Sequence, residues 1–141
     1  MKSWICILVL TLMVCMSYPT VSYASTYEKS YCPIQLRWTF LDIVDQYFDI
    51  KSGKSTIEAM TIGESNVTNA SVIVNLQRKS GTNSWTTIKS WTVSENGNTA
   101  SFRTTWLVST GYYYRLETIH SASYNGQKES TVLISAERYA T

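Results

Sequence analysis

Residues 111–120 read Gly-Tyr-Tyr-Tyr-Arg-Leu-Glu-Thr-Ile-His, and this stretch decides the fold. In an extended strand, neighbouring side chains point to opposite faces. Alternation gives two faces, the first with Tyr112, Tyr114, Leu116 and Thr118, and the second with Tyr113, Arg115, Glu117 and Ile119. A tyrosine that enters a strand just after a turn is typical of the sixth strand of immunoglobulin-like sandwiches. We therefore expect Tyr112 and Tyr114 in the core, one hydroxyl tying the preceding turn, and Tyr113 and His120 available to ligands.

The chain around this stretch consists of short alternating segments separated by turn signals. Residues 71–79 alternate most clearly, and the Asn-Gly pairs at 96–97 and 125–126 predict tight turns. No segment keeps a helical period. We predict an all-β fold, an antiparallel sandwich of about seven strands in the immunoglobulin or fibronectin III arrangement. The predicted strands cover 36–41 and 44–50 (two short strands or one bent one), 55–62, 71–79, 85–93, 99–108, 111–120 and 131–139.

The first 24 residues predict a signal peptide. Lys2 precedes an apolar run at 5–16, and Ala24 supplies the small residue that a signal peptidase reads. We expect residues 25–33 to form a flexible lead-in and residues 34–141 a single secreted domain. A lipid anchor at Cys15 is the disfavoured alternative, because bulky Val14 precedes it. After cleavage only Cys32 remains, so the domain has no internal disulfide.

The charge pattern points away from polyanionic partners. The chain carries 12 basic and 10 acidic residues, and the sequence shows no basic cluster or stripe. We therefore expect no nucleic-acid partner and no membrane association once the leader is removed. Asp42, Asp45 and Asp49 are spaced unlike a calcium loop, so we predict no metal and no cofactor. Oligomeric state stays open.

The sequence offers few candidate catalytic residues. His120 is the single histidine, and Glu117 is the acid that could neighbour it, but no nucleophile elbow accompanies the many serines. A small sandwich also has little room for a deep cleft. We predict that the protein is not an enzyme, and a small hydrolase is the third alternative for its function.

Aromatic residues are the most suggestive feature. Trp85 and Trp91 lie six residues apart, which predicts that they share one strand face with Lys89 between them. An open face of this kind would form a platform for sugar rings or a protein. The alternative, that one or both indoles pack in the core, is the interpretation that we favour for at least one of them. Our predicted binding residues are Trp85, Lys89, Trp91 and Tyr113.

The segment 76–91, Leu-Gln-Arg-Lys-Ser-Gly-Thr-Asn-Ser-Trp-Thr-Thr-Ile-Lys-Ser-Trp, precedes Ser-Thr-Gly-Tyr-Tyr-Tyr-Arg at 109–115. Together with Arg-Trp-Thr at 37–39 and Gly-Lys at 53–54, this pattern resembles a family of small secreted proteins from clostridia and related Gram-positive bacteria, a domain of unknown function. The resemblance covers most of residues 37–121. It implies secretion and a sandwich fold, and it carries no catalytic residue to this chain.

These observations predict a secreted, non-catalytic binding or interaction module. Its partner is expected to be a cell-wall glycan, a host glycan or a protein. The alternative is a small antagonistic, bacteriocin-like effector that acts on the envelope of a neighbouring cell.

Overall fold

The computed structural model describes residues 38–141. The signal peptide at 1–24, the lead-in at 25–33, and Cys15 and Cys32 lie outside the described residues. None of the described residues belongs to a helix that could cross a membrane. The strands are β1 (Leu41–Lys51), β2 (Lys54–Gly63), β3 (Asn69–Lys79), β4 (Trp85–Asn96), β5 (Thr99–Leu107), β6 (Tyr113–Tyr124), β7 (Gln127–Ile134) and β8 (Arg138–Tyr139).

The strands form two antiparallel sheets in fibronectin III order. One sheet has the order β1-β2-β5, and the other has the order β4-β3-β6-β7 with β8 also paired to β6. This arrangement confirms the predicted all-β sandwich. The predicted last strand is split, because the backbone leaves the ladder at Ser135. Its N–H donates to the Leu116 carbonyl, and its hydroxyl accepts the Leu116 N–H.

The core lies between the inner faces of the two sheets. Alternate residues of β2, β3 and β6 point inward, as the period of two requires. Burial of each large aliphatic side chain stabilises the fold by roughly 1.5–3 kcal/mol. The larger cluster of the core takes from these three strands Ile57, Ala59, Val72, Val74, Leu76, Tyr114 and Leu116.

Two tyrosines of the opening stretch behave differently. Tyr114 is buried and its hydroxyl donates to the Ser109 carbonyl at 2.9 Å, which confirms the predicted tie to the preceding turn. The prediction for Tyr112 is wrong, since this side chain is 44% exposed. Strand β6 begins only at Tyr113, so Tyr112 sits in the loop, where its carbonyl accepts the Ala140 N–H.

An irregularity in β4 separates the two tryptophans that the sequence placed on one face. Leu76 lies opposite Lys89 and Gln77 opposite Thr87, so Ile88 is one residue too many for the ladder. Such a bulge reverses the alternation on one side of it. Trp85 therefore points to the outer face of the larger sheet, and Trp91 points inward. The shared-face prediction is wrong.

Candidate binding site

Trp85 and Lys79 meet on the outer face of the larger sheet, where β3 ends and β4 begins. The two residues are direct cross-strand neighbours. The Lys79 ammonium lies 5.4 Å from the centre of the Trp85 ring and 5.5 Å from that of Tyr113, at the start of β6. These are distances at which a ring face attracts a cation. We call Trp85, Lys79, Arg115, Tyr113 and Tyr139 the aromatic–cationic cluster.

Arg115 is the second cation of the cluster, and a ring and an amide hold it. Its guanidinium carbon lies 4.4 Å from the centre of the Trp85 ring, and its Nε donates to Oε1 of Gln77 at 2.8 Å. The buried Gln77 amide in turn donates to the Thr87 hydroxyl at 3.4 Å. Within residues 38–141, Arg115 forms no ion pair. The guanidinium therefore keeps its terminal N–H groups for another acceptor.

The cluster continues across β6 to β8. The rings of Tyr113 and Tyr139 are 4.9 Å apart, and both side chains are about half exposed. Lys79 donates to the Glu137 carboxylate at 3.0 Å, on the connection between β7 and β8. The cluster thus combines exposed aromatic rings with two cations. Lys79 already pairs with a carboxylate, and Arg115 pairs with none among the described residues.

Trp91 and Lys89 lie elsewhere, at the open side of the sandwich between β4 and β5. Trp91 packs against Phe102 at 5.5 Å and meets Trp106 edge-on at 5.7 Å, measured between ring centres. The Lys89 ammonium lies 4.9 Å from the Trp106 ring centre. This group closes the side of the core. The four predicted binding residues are therefore divided, with Trp85 and Tyr113 in one place and Lys89 and Trp91 in another.

Sequence reasoning missed Lys79, Arg115 and Tyr139. The alternation of β3 and β6 does put Lys79 and Arg115 on outer faces. Their meeting with Trp85 depends on the pairing of β3 with both β4 and β6, and on the bulge. Neither can be read from alternation within one strand.

His120 is not available to a ligand. The side chain is fully buried, with Nδ1 2.8 Å from the Thr61 hydroxyl and Nε2 2.8 Å from the Thr118 hydroxyl. Burial lowers the pKa of His120 to about 4, against the opposing effects of the Asp45 charge and the Met60 backbone. The imidazole is neutral at pH 7 and closed to substrate, so a hydrolytic site built on it has no support.

Metal binding has no support in the described part of the chain either. Among residues 38–141, no three His, Cys, Asp or Glu side chains come close enough together to hold a metal ion. Asp49 instead forms ion pairs with Lys51 and Arg138.

The fold and the cluster together define a fibronectin III-like sandwich with a cation-lined aromatic surface. No family model, curated protein or solved structure matches the chain. The resemblance to secreted clostridial proteins therefore stays a prediction.

Proposed function

We propose that this domain is a non-catalytic binding module that works outside the cell and holds anionic groups in the aromatic–cationic cluster. The observation that carries the proposal is the Arg115 guanidinium, stacked on Trp85, fixed through Nε by Gln77 and without an ion pair among the described residues. A planar guanidinium with free terminal N–H groups matches carboxylates and phosphates in bidentate geometry.

The surroundings of Arg115 favour a preorganised site. An ordinary surface arginine loses side-chain entropy when it binds, whereas stacking and the Nε hydrogen bond already limit this side chain. Lys79 brings a second cation against the same ring, and Tyr113 brings a half-exposed phenol. The Glu137 carboxylate lies 3.0 Å from the Lys79 ammonium, which supports the proposal that carboxylates bind in this part of the cluster.

The same geometry disfavours a neutral sugar on Trp85. Stacking a sugar ring needs an open indole face, and the Arg115 guanidinium covers one face at 4.4 Å. A carboxylate or phosphate approaches the edge of the guanidinium instead and leaves the stack intact. Among the partners expected from the sequence, anionic ones therefore fit best.

Action outside the cell is supported by the leader-like residues 1–24. A preformed sheet surface binds without a conformational change, which suits a small exported domain.

Titration with soluble polymers tests the proposal. Tryptophan fluorescence of the full protein should change with inorganic polyphosphate and with poly-L-glutamate, but not with the neutral glycan dextran. Arg115→Gln should weaken polyphosphate binding about tenfold or more, because it removes charge-assisted hydrogen bonds. Arg103→Gln is the matched control, since Arg103 is exposed on the other sheet and pairs with Glu58.

Equal affinities for Arg115→Gln and Arg103→Gln would contradict the proposal, as would binding of dextran with no response to either polyanion. An Arg115→Lys variant sharpens the result. It keeps the charge but loses the planar fork, so we expect intermediate binding if bidentate contact matters.

A further inference from the structure

The folded sandwich separates its charges between two ends, although the sequence is nearly neutral and has no basic run. At one end, β1, β3 and β5 finish while β2, β4 and β6 begin. We call this end the basic pole. Among residues 38–141, it gathers seven basic side chains, Lys51, Lys54, Arg78, Lys79, Lys89, Arg115 and Arg138, against three acidic ones, Asp49, Glu117 and Glu137.

The other end of the sandwich carries the opposite charge. Among residues 38–141, five acidic side chains gather there with one basic residue, Lys128. The acidic residues are Asp42, Asp45, Glu64, Glu95 and Glu129. The sequence shows no basic run, and the separation of charge arises only in the folded chain. Antiparallel pairing brings together cations that lie far apart in sequence.

Much of the positive charge at the basic pole is free. Asp49 and Glu137 neutralise Lys51, Arg138 and Lys79 in part. Within the described residues, four further cations at this pole have no ion pair, namely Lys54, Arg78, Lys89 and Arg115. An excess of cations on one end attracts and orients the protein toward a negatively charged surface.

The basic pole also exposes apolar and amphipathic side chains. Leu107, paired with Lys54 at the end of β5, is 78% exposed, the largest value among the large hydrophobic residues of the described chain. Trp106 beside it is partly exposed, and Tyr112 in the next loop carries the Arg78 guanidinium 4.7 Å above its ring. Binding of a soluble polyanion does not explain why a leucine is exposed at this pole.

We infer that the basic pole docks onto an anionic phospholipid surface. Lysine and arginine attract anionic headgroups, while leucine, tryptophan and tyrosine insert at the boundary between headgroups and acyl chains. Leu107 supplies the apolar contact, and its cross-strand neighbour Lys54 supplies a cation next to it. The inference rests on the proposed function in one respect only: the aromatic–cationic cluster, at the rim of this pole, would take a lipid phosphate as its anion.

A second copy of the chain is the competing occupant, because an acidic pole could meet a basic one head to tail. The acidic pole is a weaker partner than its charge suggests. The Glu129 carboxylate already accepts hydrogen bonds from the N–H groups of Thr39, Phe40 and Leu41 at 2.7–3.0 Å. Exposed Leu107 also favours lipid over a charged protein surface.

Co-sedimentation of the full protein with vesicles tests the inference. We expect binding to vesicles of phosphatidylglycerol and phosphatidylcholine, none to phosphatidylcholine alone, and a steep loss of binding with added salt. Leu107→Ser should weaken vesicle binding about tenfold, and Lys54→Gln about fivefold. Val132→Ser and Lys128→Gln are the matched controls, since Val132 is 53% exposed on β7 and Lys128 lies at the acidic pole.

Polyphosphate binding separates this inference from the proposed function. Leu107→Ser should leave polyphosphate affinity unchanged while it weakens vesicle binding. If the protein binds polyphosphate through Arg115 but ignores anionic vesicles, the proposed function stands and the inference falls. Equal vesicle binding by Leu107→Ser and Val132→Ser overturns it too. So does salt-sensitive self-association that Lys54→Gln removes, because that result assigns the basic pole to a second copy.

Discussion

At the scale of single residues, the buried imidazole of His120 links the two sheets. Its ring contacts Thr61 on β2 and Thr118 on β6, and the Thr118 hydroxyl donates to Oε1 of Gln46 on β1 at 3.0 Å. Buried polar atoms without partners are costly, and none is found among the described residues. His120 is therefore a structural residue whose neutral form belongs to the native state.

This role predicts a pH-dependent stability. The native pKa of about 4 lies below the ordinary 6.5, so the unfolded chain binds the proton more readily between these values. The stabilisation is fully present above pH 6.5 and is lost as the pH falls toward 4, by about 3 kcal/mol. Urea unfolding followed by tryptophan fluorescence at pH 7 and pH 4 measures it.

His120→Gln is the control for this prediction. Glutamine keeps polar atoms in the site without a titrating group, so the variant should be less stable at pH 7 and lose about 3 kcal/mol less on acidification. Other groups contribute to both proteins alike. Burial raises the pKa of Glu129, for example, but the N–H groups of Leu41, Phe40 and Thr39 outweigh it and lower that pKa. Identical losses for both proteins would refute a neutral buried His120.

The alternation of the sequence along β6 already indicates that His120 is buried. Counting from Tyr114 in steps of two reaches His120 on the core face. A single histidine attracts functional interpretation because it titrates near neutrality. The identity of its partners could not be predicted, since Thr61 and Gln46 come from the opposite sheet.

At the scale of the element, the β4 bulge determines what Trp85 and Trp91 can do. Turn chemistry and alternation were enough to locate most strands and to predict the sandwich class. A single extra residue at Ile88 was not visible, because nothing in Thr-Thr-Ile-Lys differs from a regular strand. The bulge moves Trp85 out to the cations and Trp91 into the core.

Deletion of Ile88 tests the bulge. Because Ile88 is the residue without a ladder partner, its removal should give a regular β4 with Trp85 still opposite Lys79 and Trp91 still opposite Val74. We expect a change in the free energy of unfolding within about 1 kcal/mol. Urea unfolding measures this change.

Deletion of Ile73 is the contrast. Ile73 lies in the regular part of β3, opposite Thr92 and Ile119. Its loss reverses the faces of one half of a central strand, so the variant should unfold or lose several kcal/mol. Comparable stability of the two deletion variants would show that β4 is not bulged at Ile88.

At the scale of the whole molecule, the sandwich formed by residues 38–141 is electrically asymmetric, and composition does not show this property. Lys54 and Lys79 belong to different sheets, and neither is part of a basic run. Fold class could be predicted from periodicity because each strand reports its own alternation. The aromatic–cationic cluster could be predicted only in part, through Trp85 and Tyr113. The cations come together only because particular strands are neighbours in the sheet, and the sequence of one strand does not show its neighbours.

The central claim is that soluble polyanions bind at the aromatic–cationic cluster, and not around Trp91 or at the acidic pole. Nuclear magnetic resonance of the ¹⁵N-labelled full protein during titration with inorganic polyphosphate tests it most directly. We predict that the indole N–H signal of Trp85 and the amide signals around Arg115 shift together and saturate. The indole signal of Trp91 and the amides of the acidic pole should stay in place. Shifts centred on Trp91 or on the acidic pole, with Trp85 unmoved, would contradict the account.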